Sequence, residues 1–245
     1  MSLHTALISG PSGTGKSASL RNLRDPAGVL FLNCEAGKSL PFPAKFFRGP
    51  TGTVGFNVTD PVQIIEAFAF AEDNPDIHTI VIDSLTYMMD MFTSVHIIGS
   101  ADTMAGWMQY GEFMRNLMQQ HVTKSTKNVF FTAHSSSVLN EADMVLEVCV
   151  KVSGSLMKNG IESFFNNVMA TKKVPLKALE GYESPLLNIT EEEQLLGFKY
   201  VYQTRITKAT VNERIRAGMG MWSIAETFID NDVQLVIDRM EEYYG

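Results

Sequence analysis

The segment Gly10-Pro-Ser-Gly-Thr-Gly-Lys-Ser17 follows a short run of apolar residues near the start of the chain. It matches the pattern G-x-x-x-x-G-K-[ST] at every defined position. Glycines at this spacing allow left-handed backbone conformations, so that successive N–H groups can point at one anion. The segment therefore predicts a loop that surrounds the phosphates of a nucleotide and is followed by the N-terminus of a helix.

The positions of this loop have separate expected roles. The Lys16 ammonium would reach the β- and γ-phosphates of ATP, and the Ser17 hydroxyl would be a ligand of Mg²⁺. In a chain of this length, chance alone would produce such a match about once in a hundred sequences. The predicted nucleotide contacts are Gly10, Pro11, Ser12, Gly13, Thr14, Gly15, Lys16 and Ser17.

Short apolar segments alternate with helical patterns through the first half of the chain. We predict strands at 5–9, 29–33, 79–82 and 128–133, and a helix that begins at Pro61 with Asp60 as its cap. This order predicts an α/β P-loop fold with a mostly parallel central sheet flanked by helices on both faces. Further strands are predicted at 144–152 and 198–206, with a closing helix at 231–244. No interdomain linker stands out, so 1–245 is predicted to be a single domain.

The composition fits an ordinary globular protein, with 45% hydrophobic and 19% charged residues. No apolar run approaches the roughly 20 residues that span a bilayer, and no basic leader precedes the first strand, so we expect a cytoplasmic location without membrane contact. Cys34 and Cys149 are too few and too far apart to predict a disulfide framework or a zinc site. The net charge of −7 argues against a uniformly basic surface but leaves room for a local basic groove.

Asp83 directly follows the predicted strand at 79–82. A carboxylate at the carboxyl end of a central strand lies where α/β folds bind ligands, so Asp83 is predicted to hold Mg²⁺. The alternative is a helix cap, because Asp-Ser also starts helices well, and the two roles are compatible.

Position 84 is Ser, whereas AAA+ and many helicase-type ATPases place there the Glu that polarises the attacking water. The base must then come from elsewhere, and Glu35, just past the second predicted strand, is the best candidate. The alternative is a solvated carboxylate in a turn.

These motifs resemble the core of the RecA/RadA recombinases. FLNCEAG at 31–37 is similar to the catalytic-glutamate strand of that family, and IVIDSLTYM at 80–88 to its Walker B strand. His134, at the end of FFTAH, stands where the family carries a polar residue, often Gln, that senses the γ-phosphate. The resemblance covers about 3–135, and a weaker one covers 214–222. It is closest to the short bacteriophage RecA-like ATPases of single-strand annealing recombination.

The resemblance implies a RecA-like ATPase that contacts single-stranded DNA, self-associates with ATP at subunit interfaces and works beside a single-strand-binding protein in the host cytoplasm. The family's polymerisation element would precede the first strand, where this sequence has no such segment, so filament formation is not expected. A cation from a neighbouring subunit would reach the γ-phosphate. Its candidates are Lys208, Arg214 and Arg216, for which an exposed surface role is equally compatible.

In the resembled family, loops after the third and fourth strands face DNA, which here correspond to about 95–110 and 135–179. The second stretch interleaves basic, aromatic and amide side chains, as single-strand grooves do. These residues are Lys151, Lys158, Phe164, Phe165, Asn166, Asn167, Lys172, Lys173 and Lys177. The alternative is that the phenylalanines belong to the core or a subunit contact and the lysines to the solvated surface.

Three functions fit the sequence. The leading one is a DNA-dependent ATPase that assists phage-type recombination or annealing. The second is a RecA-fold regulatory or assembly ATPase that acts on a protein partner. The third is a small-molecule kinase, against which the sequence shows no Arg-rich lid.

Overall fold

The computed structural model describes residues 4–49, 52–141, 144–154, 156 and 160–245. In this part of the chain, nine strands form one sheet. They are β1 (Thr5–Gly10), β2 (Val29–Asn33), β3 (Phe56–Asn57), β4 (Thr79–Asp83), β5 (Asn128–Asn140), β6 (Val145–Val150), β7 (Asn167–Pro175), β8 (Phe198–Gln203) and β9 (Phe228–Asp230). The helices are α1 (Val62–Asp73), α2 (Leu85–Phe92), α3 (Thr103–Asn116), α4 (Glu191–Leu196) and α5 (Val233–Tyr244).

The strand order is β3-β2-β4-β5-β1-β7-β8-β9, with β6 paired to β5 outside this path. The strands from β3 to β7 along the path pair in parallel. Strands β8 and β9 extend the sheet in antiparallel pairing, and β5 and β6 form an antiparallel hairpin. Strand β5 lies between β1 and β4, so the carboxyl ends of these three strands share one edge of the sheet.

Successive side chains of the inner strands point to opposite faces of the sheet. On one face, Leu7 and Ile80 pack with α1, α2 and α3. On the other face, Ile8 and Val81 pack with α5 and with the 3₁₀ helix Ser17–Asn22. Both faces are therefore covered, which confirms the predicted α/β class with a mostly parallel sheet flanked by helices.

Several predicted elements appear with shifted boundaries. The helix predicted after the phosphate loop is the 3₁₀ helix Ser17–Asn22, and two helices, α2 and α3, lie between β4 and β5. Each of these continues as a π-helical segment, Thr93–Ile97 after α2 and Leu117–Val122 after α3. Helix α1 begins at Val62 with Pro61 in the N-cap position, one residue later than predicted. Asp60 still accepts a hydrogen bond from the Val62 N–H at 2.9 Å.

The strand predicted at 144–152 is present as β6, but the interpretation of the rest of 135–179 as a loop is wrong. Strand β5 continues from the predicted end at Ala133 to Asn140, and the same stretch contains β6 and β7. Strand β7 is an inner strand that pairs in parallel with β1. The first half of β7 is buried, but Lys172 and Lys173 interrupt the apolar pattern of the strand. For this reason the sequence did not predict β7.

None of the helices in the described ranges is long and apolar enough to cross a membrane.

Candidate active site

The phosphate loop leaves β1 and enters the 3₁₀ helix Ser17–Asn22. Gly13 and Gly15 have φ values of 75° and 93°, in the left-handed region that favours glycine. A Cβ on Gly15 would overlap the Asn231 side chain, and a Cβ on Gly10 would overlap Thr171 of β7. Gly10 and Gly15 therefore cannot be replaced by a residue with a Cβ unless the neighbouring side chains move. A narrow cradle of this kind leaves the backbone N–H groups accessible to an anion.

Lys16 is buried, with 6% of its surface exposed. Its Nζ donates hydrogen bonds to the carbonyl oxygens of Gly10 at 3.0 Å and Pro11 at 2.8 Å. Burial lowers the pKa of Lys16 to about 8, although Glu35 and Asp83 act in the opposite direction. The ammonium is therefore held by neutral carbonyl groups, and a bound anion would stabilise its charged form.

Asp83 ends β4 and is 4% exposed. Its Oδ2 accepts a hydrogen bond from Ser17 Oγ at 2.7 Å, and its Oδ1 accepts one from Thr132 Oγ1. Burial raises the pKa of Asp83, and the two hydroxyl donors oppose that shift. Ser84, the residue that precedes α2, is joined to Asp83 by a cis peptide bond. The carboxylate of Asp83 faces the phosphate loop, where it contacts Ser17.

The Ser17 hydroxyl and the Asp83 carboxylate fit the predicted Mg²⁺ site. Both are hard oxygen ligands, and Mg²⁺ is commonly held by one or two protein oxygens together with water and substrate phosphates. Within the described ranges, no cluster of three or more His, Cys, Asp or Glu side chains could hold a metal by itself. Mg²⁺ held by Ser17 and Asp83 would take water or substrate phosphates as its remaining ligands.

Glu35 and His134 meet beside the phosphate loop. Glu35 follows β2, and His134 lies on β5 directly opposite Gly10 in the parallel register. His134 Nε2 is 3.2 Å from Glu35 Oε1, and His134 Nδ1 is 3.5 Å from Lys16 Nζ. An imidazole protonated on Nε2 satisfies both contacts, because it donates to Glu35 and accepts from Lys16. The hydrogen bond with His134 lowers the pKa of Glu35, against the effect of burial and with help from Lys38.

A cleft of about 690 Å³ contains these side chains. This volume lies within the range of small-molecule sites. Of the predicted site residues, the cleft is lined by Ser12, Gly13, Gly15, Lys16, Ser17, Glu35, Asp83 and His134. Gly10, Pro11 and Thr14 support the loop instead: two of them supply carbonyl groups to Lys16, and Thr14 Oγ1 lies 2.6 Å from Thr171 Oγ1. The structure thus brings the predicted residues together at one edge of the sheet.

The opposite wall of the cleft comes from the C-terminal part of the chain, which sequence reasoning missed. Its residues are Asn188, Thr190, Glu193, Lys199, Tyr200, Asp230 and Asn231. Lys199 is buried and forms ion pairs with Glu193 at 2.7 Å and Asp230 at 3.1 Å. No motif marks these positions. They reach the cleft because β8 and β9 add to the sheet beside β7.

Several residues predicted for other contacts lie elsewhere. Arg214 bridges Glu147 and Glu162 at 3.1 Å each, and neither it nor Lys208 or Arg216 lines the cleft. Lys158 is outside the described residues.

Part of the predicted DNA set is structural. Phe165 is buried against Phe131, and Asn167 is buried at the start of β7. Lys172 pairs with Glu213 at 2.6 Å, and Lys173 lies 3.7 Å above the Phe198 ring. The core alternative therefore describes Phe165 and the partly buried Phe164. Lys172 is partly buried, whereas Lys151, Lys173, Lys177 and Asn166 are exposed and remain compatible both with the surface alternative and with a DNA contact.

Comparison with known families identifies the fold. The AAA domain family matches residues 4–169, a span that contains the phosphate loop, Glu35, Asp83 and His134. No curated protein matches the sequence. The family is one of P-loop ATPases, and membership implies nucleotide binding with a divalent metal. The match covers well over half of the chain, so this protein belongs to the AAA domain family.

Proposed function

We propose that this protein is a RecA-like ATPase whose hydrolysis of ATP is stimulated by single-stranded DNA during phage-type recombination or annealing. One observation carries the proposal: Glu35 is hydrogen-bonded to His134, which lies on the strand that continues into the β5–β6 hairpin. The candidate base is thus joined to a strand that extends beyond its parallel neighbours and pairs there with β6. A ligand on the hairpin side can bias the Glu35 position through this strand.

The residues of the cleft divide the work of hydrolysis. The loop N–H groups and Lys16 bind the β- and γ-phosphates, and Ser17 with Asp83 holds the metal. Mg²⁺, when bound with ATP, neutralises charge on the phosphate oxygens. Glu35 is ionised at neutral pH, as an ordinary glutamate is, and the hydrogen bond from His134 lowers its pKa further. Its carboxylate can therefore orient a water molecule and accept its proton. His134 positions that carboxylate through its Nε2–H.

Lys151 supports the DNA part of the proposal. Its backbone N–H donates to the His134 carbonyl at 2.8 Å, and its side chain is exposed at the base of the hairpin. A phosphate bound at Lys151 would therefore lie one backbone hydrogen bond away from the residue that holds Glu35. Lysine contacts with phosphate make binding steeply dependent on salt.

ATP hydrolysis measured with and without single-stranded DNA, at several salt concentrations, tests this proposal. We expect the rate to rise with DNA and the stimulation to weaken as salt increases. Lys151→Ala should reduce the stimulation and leave the DNA-free rate unchanged, and Lys45→Ala, which removes an exposed lysine away from the hairpin, serves as the control. A flat rate across the DNA titration at low salt would count against DNA dependence.

A second candidate function is an assembly or regulatory ATPase that acts on a protein. The hairpin favours it, because Leu139 and Leu146 lie opposite each other and are 49% and 61% exposed. Exposed apolar side chains of this kind suit a protein partner better than DNA. Absent DNA binding, together with loss of a protein complex in Leu139→Ser, would select this function.

The remaining parts of the proposal concern assembly and location. We propose that the chain forms one domain over 1–245, self-associates with ATP at subunit interfaces and works in the cytoplasm beside a single-strand-binding protein. Lys208 and Arg216 are the better candidates for a cation supplied to a neighbouring subunit, because Arg214 is engaged by two carboxylates of its own chain. Sedimentation with and without Mg·ATP tests the self-association.

A further inference from the structure

We propose that Lys38 is a second phosphate-binding cation of this cleft, which contacts the γ-phosphate of bound ATP. The inference rests on the proposed binding of ATP in the cleft and is independent of DNA. Lys38 would act from within the chain, in addition to any cation that a neighbouring subunit supplies.

The turn after β2 brings Lys38 back over the end of the strand. Ala36 and Gly37 have φ values of 52° and 74°, and the Lys38 N–H donates to the Glu35 carbonyl at 3.0 Å. A left-handed conformation is disfavoured for a residue with a Cβ, so Ala36 needs support from its surroundings. Two consecutive left-handed residues reverse the chain within four positions.

A single buried side chain fixes both ends of this turn. Asn33 is 7% exposed, its Nδ2 donates to the Lys38 carbonyl at 2.9 Å, and its Oδ1 accepts from the Glu35 N–H at 3.0 Å. Glu35 and Lys38 are thereby held as one unit on the last residue of β2. The backbone of Lys38 is as firmly placed as that of the candidate base.

The Lys38 ammonium belongs to the electrostatics of the cleft. Its Nζ lies 3.4 Å from Glu35 Oε2, and Lys38 lines the same cleft as Lys16. Its positive charge helps to lower the pKa of both Glu35 and Lys16. Lys16 and Lys38 thus lie on either side of the Glu35–His134 pair in the chain of contacts, whereas Lys199, the third lysine of the cleft lining, is paired with Glu193 and Asp230.

The contact between Lys38 and Glu35 is easily exchanged. It is long, and 74% of the Lys38 side chain is exposed, so water screens the pair. The γ-phosphate carries more charge than one carboxylate and would compete well for this ammonium. Transfer of Lys38 to the phosphate would stabilise the charge that develops on the phosphoryl oxygens and would leave Glu35 a stronger base.

ADP lacks the γ-phosphate, so the proposal predicts a specific pattern of affinities. In DNA-free titrations by calorimetry with Mg²⁺, Lys38→Met should weaken ATP binding by about tenfold and change ADP binding by less than about twofold. Single-turnover hydrolysis should slow by about tenfold or more. Lys38→Arg should restore most of both, because it keeps the charge.

Lys45→Met is the matched control, since it removes an exposed lysine from the same connection between β2 and β3 without touching the cleft. Circular dichroism of each variant checks folding. Equal loss of ATP and ADP affinity in Lys38→Met, or no loss of either, would overturn the assignment. Because DNA is absent, a failure of DNA stimulation leaves this result unaffected, and a normal Lys38→Met variant leaves the proposed function standing.

Discussion

Two groups of charges in this molecule differ in how fully their partners satisfy them. In the cleft, Lys16 donates to backbone carbonyls, and its contact with His134 is 3.5 Å long. In the second group, which we call the clasp, Arg214 lies between Glu147 and Glu162 at 3.1 Å each. The hydrogen-bond partners of Lys16 are uncharged, so an incoming anion can replace its long contact with His134, whereas Arg214 is already neutralised by two carboxylates of its own chain.

The clasp joins the C-terminal segment to the hairpin and the core. Glu162 is 5% exposed at its side chain and also accepts the Val150 N–H. Val148 and Val168 form backbone bridges to Glu213 and Arg216 on the same segment. Removing a charge from the cleft should therefore cost ligand binding or turnover, and removing one from the clasp should cost stability.

The largest effect is expected for Lys16→Ala. Nucleotide binding or turnover should be abolished, because the loop loses the ammonium that reaches the β- and γ-phosphates. The thermal stability of the nucleotide-free protein should not fall, since burial disfavours this charge in the folded state. Binding of a fluorescent nucleotide measures the affinity, and a melting curve measures the thermal stability. Retained turnover would contradict the assignment of residues 10–17 as the phosphate-binding loop.

The next largest effect is expected for Glu35→Gln. The variant should still bind ATP while its hydrolysis slows by about a hundredfold or more, because the amide cannot accept the proton of water. The measurement is kcat beside the dissociation constant of ATP. An unchanged kcat would move the base to another residue.

Arg214→Met should lower the free energy of unfolding by about 3 kcal/mol, because it leaves the buried Glu162 without its cationic partner. ATP affinity should stay the same. Arg115→Met is the control: it removes the Arg115–Glu112 ion pair, which is exposed on α3 and should contribute less than about 1 kcal/mol. Urea unfolding of both variants measures the difference. Equal stability losses would remove the distinction between cleft and clasp.

The smallest effect concerns pH. The pKa of Lys16 in the free protein is about 8, and bound phosphates should raise it. Affinity for Mg·ATP should therefore be constant below pH 8 and then fall by up to about tenfold per pH unit as the free ammonium loses its proton. The free energy of unfolding of the nucleotide-free protein should instead rise as the pH increases above 8. The reason is that the pKa of Lys16 is higher in the unfolded chain than in the folded protein, so the unfolded chain keeps the proton that the folded protein loses. Calorimetric titrations across pH 7–9.5 check the affinity, and a flat profile would contradict the buried ammonium.

The cleft was predictable because local sequence decides most of it. Parallel strands end at a common edge, so Asp83 and His134, which lie at or just past predicted strand ends, had to approach the loop that follows β1. Glu35 was found by the same argument together with the Ser at position 84.

The parts of the fold and of the cleft that the sequence did not predict depend on pairing between segments that are distant in the chain. Strand β7 was concealed by Lys172 and Lys173, whose charges are satisfied by Glu213 and by the Phe198 ring far along the chain. Asn231 reaches the loop only because β9 joins the sheet beside β8. No short sequence pattern predicts contacts between segments that lie so far apart in the chain.

A crystal structure of the Glu35→Gln variant with ATP and Mg²⁺ tests the central claim most directly. We expect the triphosphate inside the loop 10–17, with the metal between Ser17 and Asp83 and the side chain of residue 35 facing the γ-phosphate across a water molecule. A triphosphate bound elsewhere, or one whose γ-phosphate points away from residue 35 and Asp83, would contradict it.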